Sequence, residues 1–132
     1  MDSSDFIIAT CRKILAPHAE FAFLYGSAAN GNLRKESDVD CAAYFKNGIS
    51  KDAFIKLLFS LEDSLQRDVD LINLNSADII ITMQALANGK LIIDNNHSRF
   101  VVFKAQKLSE YIDFKQSRKI IEDNLLRGRL YA

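Results

Sequence analysis

Short apolar runs alternate along this chain with longer segments whose apolar residues recur at helical spacing. Three of these runs occupy residues 20–25, 39–45 and 68–74, and a fourth, KLIID, occupies residues 90–94. A brief apolar run bounded by turn residues is typical of a buried strand. Strands that alternate with amphipathic helices indicate an α/β or α+β fold, here a small mixed β-sheet flanked by helices with a helical C-terminal segment.

Four segments are predicted to form helices: residues 4–15, the stretch that Ser50 opens, the stretch that Ser76 caps and Gly89 ends, and residue 98 to the end of the chain. Serine is a favoured N-terminal cap, and glycine is a favoured stop. We expect the apolar stripes of the first two helices to pack on the sheet; they comprise Phe6, Ile7, Cys11, Ile14, Leu15, Phe54, Leu57, Leu58, Leu61 and Leu65. The final segment has two interpretations, one continuous helix or two helices that break near residues 113–116.

Composition is that of a single globular domain. The chain has 132 residues, of which 48% are apolar, and it contains one proline. We find no linker or repeat, so residues 1–132 are predicted to form one domain. The formal net charge is zero, which disfavours a uniformly basic surface, and we expect no direct binding to nucleic acid.

The N-terminus begins with an acid and lacks the features of a signal peptide. No apolar run approaches the length that spans a bilayer, so we expect a cytoplasmic protein without a membrane partner. The two cysteines, Cys11 and Cys41, lie in apolar contexts without ligand or disulfide-framework spacing. We interpret them as buried thiols in a reducing compartment.

Asp38 and Asp40 lie two residues apart at the start of a predicted strand. Residues i and i+2 of a strand leave the same face of the sheet, so the two carboxylates repel each other unless a proton or a cation lies between them. Mg²⁺ suits this arrangement, because it is bound by one or two carboxylates together with substrate phosphates. The alternative is a polar loop with solvated acids, which the Asp-x-Asp triplet alone favours.

Gly26 and Ser27 directly follow the first predicted strand. Glycine allows a tight turn and a close approach of the backbone to phosphate, and the serine hydroxyl can donate a hydrogen bond. We interpret the pair as a phosphate-binding turn. An ordinary strand-to-helix turn is the alternative, and a Gly-Ser pair alone favours it.

Asp68 and Asp70 share one face of the third predicted strand. We interpret Asp68 as a solvated charge at the end of the strand. Asp70 is followed directly by Leu-Ile and is expected to be at least half-buried, where a carboxylate needs a cation or hydrogen-bond donors. Asp70 is therefore predicted to be a third acidic member of the site.

The combination of a Gly-Ser turn, an Asp-x-Asp pair and a later carboxylate resembles the nucleotidyltransferase superfamily that includes DNA polymerase β. Within it, the stretch GSAANGNLRKESDVDCA is similar to the pattern of the minimal nucleotidyltransferases, or MNT proteins. The matching residues are Gly26, Ser27, Ala29, Gly31, Ser37, Asp38 and Asp40. Two positions depart from the pattern, because Asn30 replaces the usual arginine and Cys41 the usual leucine. Arg34 and Lys35 could compensate for Asn30 only if the loop brings them inward.

The carboxylates permit phosphoryl transfer assisted by two metal ions. We assign Asp38 and Asp40 as ligands of Mg²⁺, Asp70 as the ligand that favours deprotonation of the acceptor hydroxyl, and Gly26 and Ser27 as the grip on the phosphates of ATP. The resemblance implies a partner as well. Small MNT proteins are typically antitoxins that transfer AMP from ATP to a tyrosine of a HEPN-domain ribonuclease toxin.

Two functional alternatives remain open. The chain could neutralise its partner by binding alone, which Asn30 keeps plausible, or it could modify a small molecule, which usually requires a further substrate domain. Residues 99–129 carry eight Lys or Arg against four Asp or Glu. This excess fits either a solvated helix face or a surface that meets a partner.

Overall fold

The computed structural model describes residues 3–26 and 38–127. Its elements, in chain order, are α1 (Ser3–Leu15), β1 (Ala19–Tyr25), β2 (Val39–Phe45), α2 (Lys51–Leu65), β3 (Val69–Asn73), α3 (Ile79–Asn88), β4 (Lys90–Asp94) and α4 (His97–Leu126). None of the helices in these residues is long and apolar enough to cross a membrane.

The four strands form one mixed sheet in the order β3-β2-β1-β4. Strand β1 is antiparallel to both β2 and β4, whereas β3 is parallel to β2. A parallel neighbour requires a crossover connection, and α2 provides it. The predicted fold class, a small mixed sheet flanked by helices, is confirmed.

Each face of the sheet is covered by two helices. On one face, α1 and α2 pack against Ala22, Leu24, Cys41, Ala43 and Leu71. On the other face, side chains of α3 and α4 pack against an aromatic cluster that includes Phe21, Phe23 and Tyr44. The rings of Phe21 and Tyr44 are stacked with centroids 5.0 Å apart. The second face also carries the acidic residues of the predicted site.

The predicted stripe of α1 is wrong at one residue. Ile7, Cys11 and Leu15 are buried, but Phe6 is 46% exposed. Phe6 lies one residue before Ile7 in the first turns of α1, so the two side chains point in different directions around the helix. The side chain of Ile7 is the one that faces the sheet. The stripe of α2 is confirmed, because its members are buried or packed against the same core.

Helix α3 begins later than predicted, and its cap is Asp78 rather than Ser76. The Asp78 carboxylate accepts a hydrogen bond of 2.9 Å from the backbone N–H of Ile81. The preceding residues form a turn in which the Asn75 side chain pairs with both backbone groups of Phe45, at 2.8 Å each. That pairing keeps the turn at the end of β2, so the helix starts only after it.

Helix α4 is continuous over 30 residues, so the interpretation with a break near residues 113–116 is wrong. No proline or glycine interrupts it, and Arg118 pairs with Glu122 one turn later at 3.0 Å. Its start is fixed to β1 through Glu20. The backbone carbonyl of Glu20 accepts from Asn95 and Asn96, and its carboxylate lies 3.4 Å from Nε of Arg99.

Candidate active site

Tyr25, Asp40 and Asp70 form one row across three neighbouring strands. Tyr25 pairs with Asp40 in the antiparallel register of β1 and β2, and Asp40 pairs with Asp70 in the parallel register of β2 and β3. Side chains of residues in register leave the same face of the sheet. Backbone pairing therefore brings together the two predicted acids Asp40 and Asp70, which are distant in sequence.

The acids of the site differ in exposure. Asp40 is half-buried, while Asp38, directly before β2, is exposed. Asp70 is also exposed, so the prediction that it is at least half-buried is wrong. The reason is the position of β3 at the edge of the sheet, where no further strand covers it. The site is thus open to solvent on the side of Asp70.

Negative charge accumulates at Asp40. Burial raises the pKa of the Asp40 carboxyl above its ordinary value, and the charges of Asp70 and Asp38 raise it further. A raised carboxyl pKa means that the ionised form is disfavoured by its surroundings, and a nearby cation would relieve this. The repulsion that the sequence predicts among these acids is therefore present in the fold.

Tyr25 was not among the predicted site residues, although it lies in the same row. Burial, followed by the charges of Asp70 and Asp40, raises the pKa of Tyr25 to about 12. Tyr25 is therefore a neutral phenol at physiological pH. The sequence contained a signal for its position, because Phe21, Phe23 and Tyr25 alternate along β1 and Tyr25 ends the strand beside the glycine turn.

Gly26 lies directly against the acidic row. Its backbone has a φ of +73°, and a Cβ placed on it would lie 2.5 Å from Oδ2 of Asp40. Only glycine fits this conformation and this approach. The predicted partner Ser27 lies outside the described residues, as do Asn30, Arg34 and Lys35.

The acidic row provides two carboxylates for a cation such as Mg²⁺. Over residues 3–26 and 38–127, no three or more His, Cys, Asp or Glu side chains group as a set that could hold a metal ion. Asp40 and Asp70 nevertheless offer neighbouring oxygen ligands. Because Mg²⁺ is usually bound by one or two carboxylates, water and substrate phosphates, the pair fits an ion whose coordination a nucleotide completes.

Cys41 directly follows Asp40 and lies in the core on the opposite face of the sheet. Its thiol forms a hydrogen bond with Cys11 of α1, and this bond together with complete burial raises the pKa of Cys41 well above its ordinary value. The prediction of buried cysteines is confirmed, since both are free and buried. The small thiol lets α1 lie close behind the acidic strand.

The family model described as polymerase beta, nucleotidyltransferase matches residues 7–98, more than half of the chain. The chain belongs to this nucleotidyltransferase family. The matched range contains all four strands and every predicted site residue. Membership confirms the resemblance drawn from the Gly-Ser turn and the aspartates.

Two comparisons show which members of the family this nucleotidyltransferase is similar to. It is 26% identical to the protein adenylyltransferase MntA of Shewanella oneidensis over 110 residues, which make up 83% of this chain and 78% of MntA. A crystal structure of a toxin–antitoxin with AMP-PNP contains a chain of 26% identity and TM-score 0.75; the match covers 93% of this chain and 98% of that one.

A second solved structure shares the fold. It contains a tri-AMPylated Shewanella oneidensis HEPN toxin in complex with an MNT antitoxin. The match has 24% identity and a TM-score of 0.70, and covers 94% of this chain and 96% of the other. The architecture described above is therefore that of the MNT group.

Proposed function

We propose that this nucleotidyltransferase is an antitoxin that transfers AMP from ATP to a tyrosine hydroxyl of a HEPN ribonuclease toxin. The observation that carries the proposal is the row in which backbone pairing sets Asp40 beside Asp70, next to Gly26. Its similarity to the adenylyltransferase MntA supports AMP as the transferred group. The structures of toxin–antitoxin complexes support the class of acceptor.

Each site residue has a role in this proposal. Asp38, Asp40 and Asp70 would hold two Mg²⁺ ions, which when bound neutralise the triphosphate and stabilise the attacking and leaving oxygens. Gly26 lets the backbone approach the β- and γ-phosphates, and Ser27 would donate a hydrogen bond to them. Asp70, exposed on the edge strand, faces the side from which the acceptor arrives and favours loss of its hydroxyl proton.

The transfer breaks the phosphoanhydride bond between the α- and β-phosphates of ATP and forms a phosphoester bond to the tyrosine oxygen. The tyrosine oxygen attacks the α-phosphorus of ATP, the bond to the pyrophosphate breaks, and pyrophosphate leaves with the electron pair. The hydroxyl proton departs toward the carboxylates. Such a reaction depends mainly on positioning and charge neutralisation. An acidic row on a sheet, together with the metal ions that it would hold, can provide both. We place the reaction in the cytoplasm and assign it to one domain, residues 1–132.

The second candidate is neutralisation by binding without transfer. Asn30 favours it, because the MNT pattern has a positively charged arginine at that position beside the phosphate-binding turn.

Labelled ATP separates the two candidates. The purified chain is incubated with Mg²⁺, with the HEPN protein proposed as its toxin, and with ATP labelled at the α-phosphorus or, as a control, at the γ-phosphorus. Transfer of AMP places only the α-label on a tyrosine of the toxin. If the two proteins co-purify and no α-label reaches the toxin, the enzymatic proposal fails and binding alone remains.

A further inference from the structure

The second half of α4 packs little against the rest of the domain. Phe100 and Phe103 near the start of the helix pack against the aromatic cluster of the sheet. Beyond Phe103, none of the described residues of α4 is buried. At about 1.5 Å per residue the 30-residue helix is about 45 Å long, so a large part of it extends past the sheet that anchors it.

This half of α4 exposes an unusual number of large apolar side chains. They are Ile112, Phe114, Ile120, Ile121, Leu125 and Leu126, with exposed fractions from 39% to 87%. Single exposed apolar residues are ordinary, but six within 15 residues leave this half of α4 apolar around much of its circumference, which favours cover by another molecule. A helix of this kind gains stability mainly from packing, which the domain itself supplies only near its start.

A groove separates this half of α4 from the start of α3. It has a volume of about 450 Å³, and its apolar lining comes from Ile80, Tyr111 and Phe114. Its rim is mainly cationic, with Lys115, Arg118 and Lys119 against Glu122. A complementary surface would therefore present apolar side chains framed by carboxylates.

The rim lysines are available for such carboxylates. Arg118 is already paired with Glu122, but neither Lys115 nor Lys119 forms an ion pair with a described residue. Nζ of Lys115 lies 5.6 Å from the centre of the Tyr111 ring, which holds the ammonium group at the edge of the groove.

The groove shares a sheet face with the acidic row. Helices α3 and α4 cover the face that carries Phe21, Phe23 and Tyr25, and Tyr25 is in register with Asp40. A macromolecule seated on α4 would therefore lie on the same side of the sheet as the carboxylates. An acceptor tyrosine has to reach that side, whereas helices α1 and α2 block the other.

We propose that the α3–α4 groove is the docking surface for the protein that accepts AMP, and that this protein contributes an apolar patch framed by acidic side chains. The inference rests on the proposed function for the identity of its occupant. The match to a chain of a toxin–antitoxin structure supports it, because α4 makes up 30 of 132 residues and a match over 93% of the chain must include most of it.

Apolar-to-acidic substitutions in the groove test the proposal. Phe114→Glu and Ile80→Glu alter exposed side chains that line the groove, and Phe59→Glu is the matched control, because Phe59 is 62% exposed on α2 across the sheet. We expect the two groove variants to raise the acceptor concentration for half-maximal transfer by at least about tenfold, the scale of a single interface anchor. The maximal rate, the affinity for MgATP and the behaviour of Phe59→Glu should match the wild type.

A charge reversal tests the expected chemistry of the occupant. Lys119→Glu should weaken binding of the acceptor protein, measured by titration calorimetry, and the loss should shrink as salt is raised. Lys56→Glu on α2 is the control, since Lys56 is exposed on the other side of the sheet. If the two lysine variants bind the acceptor protein with equal affinity, the proposal that its docking surface is framed by acidic side chains is wrong.

Measuring binding of the acceptor protein separately from transfer of label distinguishes failure of the docking proposal from failure of the proposed function. If the wild-type chain binds the HEPN protein through the groove but transfers no label, the docking surface stands and the enzymatic proposal fails. If the wild type transfers label and the Phe114 and Ile80 variants do so with unchanged acceptor dependence, the docking surface is overturned. It is equally overturned if Phe114→Glu only converts a dimer of this chain into a monomer.

Discussion

Gly26 and Asp40 occupy adjoining space, because a Cβ on the glycine would lie 2.5 Å from Oδ2 of the carboxylate. The glycine comes from the end of β1 and the carboxylate from β2, so two strands close the site together. The approach is possible only with the left-handed φ of +73° that glycine readily adopts. Gly26 and the acidic row are therefore one geometric unit.

This contact predicts that Gly26→Ala damages the site more than the backbone strain alone explains. Gly48 provides the control, since it has a similar φ of +80° but open space around its Cβ position. We expect Gly48→Ala to lower the free energy of unfolding by about 1 kcal/mol through φ strain alone. Gly26→Ala should cost at least as much and also displace Asp40, lowering the affinity for MgATP in titration calorimetry by about tenfold. Equal MgATP affinities in the two variants would show that Asp40 tolerates the methyl group.

The double substitution Asp38→Ala with Asp40→Ala should abolish metal-dependent transfer and leave the fold intact. Asp38 is exposed and Asp40 only half-buried, and both lie at the start of β2. Removing them also removes repulsion, so thermal unfolding should show no loss of stability. The rate is measured with α-labelled ATP, and a near-normal rate in this variant would refute the site assignment.

Asp70→Asn should separate transfer from nucleotide binding. The change preserves shape but removes the charge that we assign to deprotonation of the acceptor hydroxyl. We expect the maximal rate to fall by about a hundredfold, as when a group that acts in the transition state is removed. Binding of MgATP should stay measurable. Asp68→Asn is the matched control, because Asp68 is exposed directly before β3. Complete loss of MgATP binding in the Asp70 variant would assign that residue to the nucleotide instead.

Asp40 should make the metal-free protein less stable as pH rises. Its pKa is raised from the ordinary value of 3.8 by burial, then by Asp70 and Asp38, so the folded state holds this proton more tightly than the unfolded state. The stabilisation is complete below the unfolded pKa and is lost as pH rises through the higher folded pKa. Denaturant unfolding at several pH values should show a steeper decline for the wild type than for Asp40→Asn. Parallel curves would contradict the electrostatic description of the site.

Asn75→Ala should destabilise the fold without affecting the site. Oδ1 of Asn75 accepts from the Phe45 N–H and its Nδ2 donates to the Phe45 carbonyl, both at 2.8 Å. The variant leaves the Phe45 N–H without this partner, while the Phe45 carbonyl still accepts from the Gly48 N–H at 3.1 Å. The loss should cost about 2 kcal/mol in urea unfolding. The affinity for MgATP should be unchanged, because Phe45 lies at the opposite end of β2 from Asp40. Asn88→Ala, exposed at the end of α3, is the control, and an equal effect would contradict the role of Asn75.

The strands could be predicted from the sequence because their apolar runs end at strong turn signals. Strand β2 has the predicted limits, and Asn47 and Gly48 after it adopt the positive φ values that such a turn requires. The cap of α3 could not be predicted, because Ser76 and Asp78 are both good caps. The choice depends on Asn75, whose side chain pairs with a strand far away in sequence.

The sequence predicted which acidic residues belong to the site but not how they are arranged. The alternation rule places Asp38 and Asp40 on one face of β2, yet only the parallel register sets Asp70 beside Asp40. Register between distant strands depends on the whole sheet, and so does the exposure of Asp70 at its edge. The alternation along β1 indicates the face on which Tyr25 lies, but its place beside Asp40 follows only from strand pairing, and so it was missed.

The parallel pairing of β3 has a consequence for synthesis on the ribosome. Strands β1 and β2 can pair as soon as both have emerged, and a chain of that length already holds the Gly-Ser turn and the Asp-x-Asp pair. Asp70 joins them only after α2 has crossed the sheet and β3 has docked. Non-local parallel contacts form late. We therefore expect a nascent or truncated chain that ends before β3 to carry the complete motif and yet to lack transfer activity.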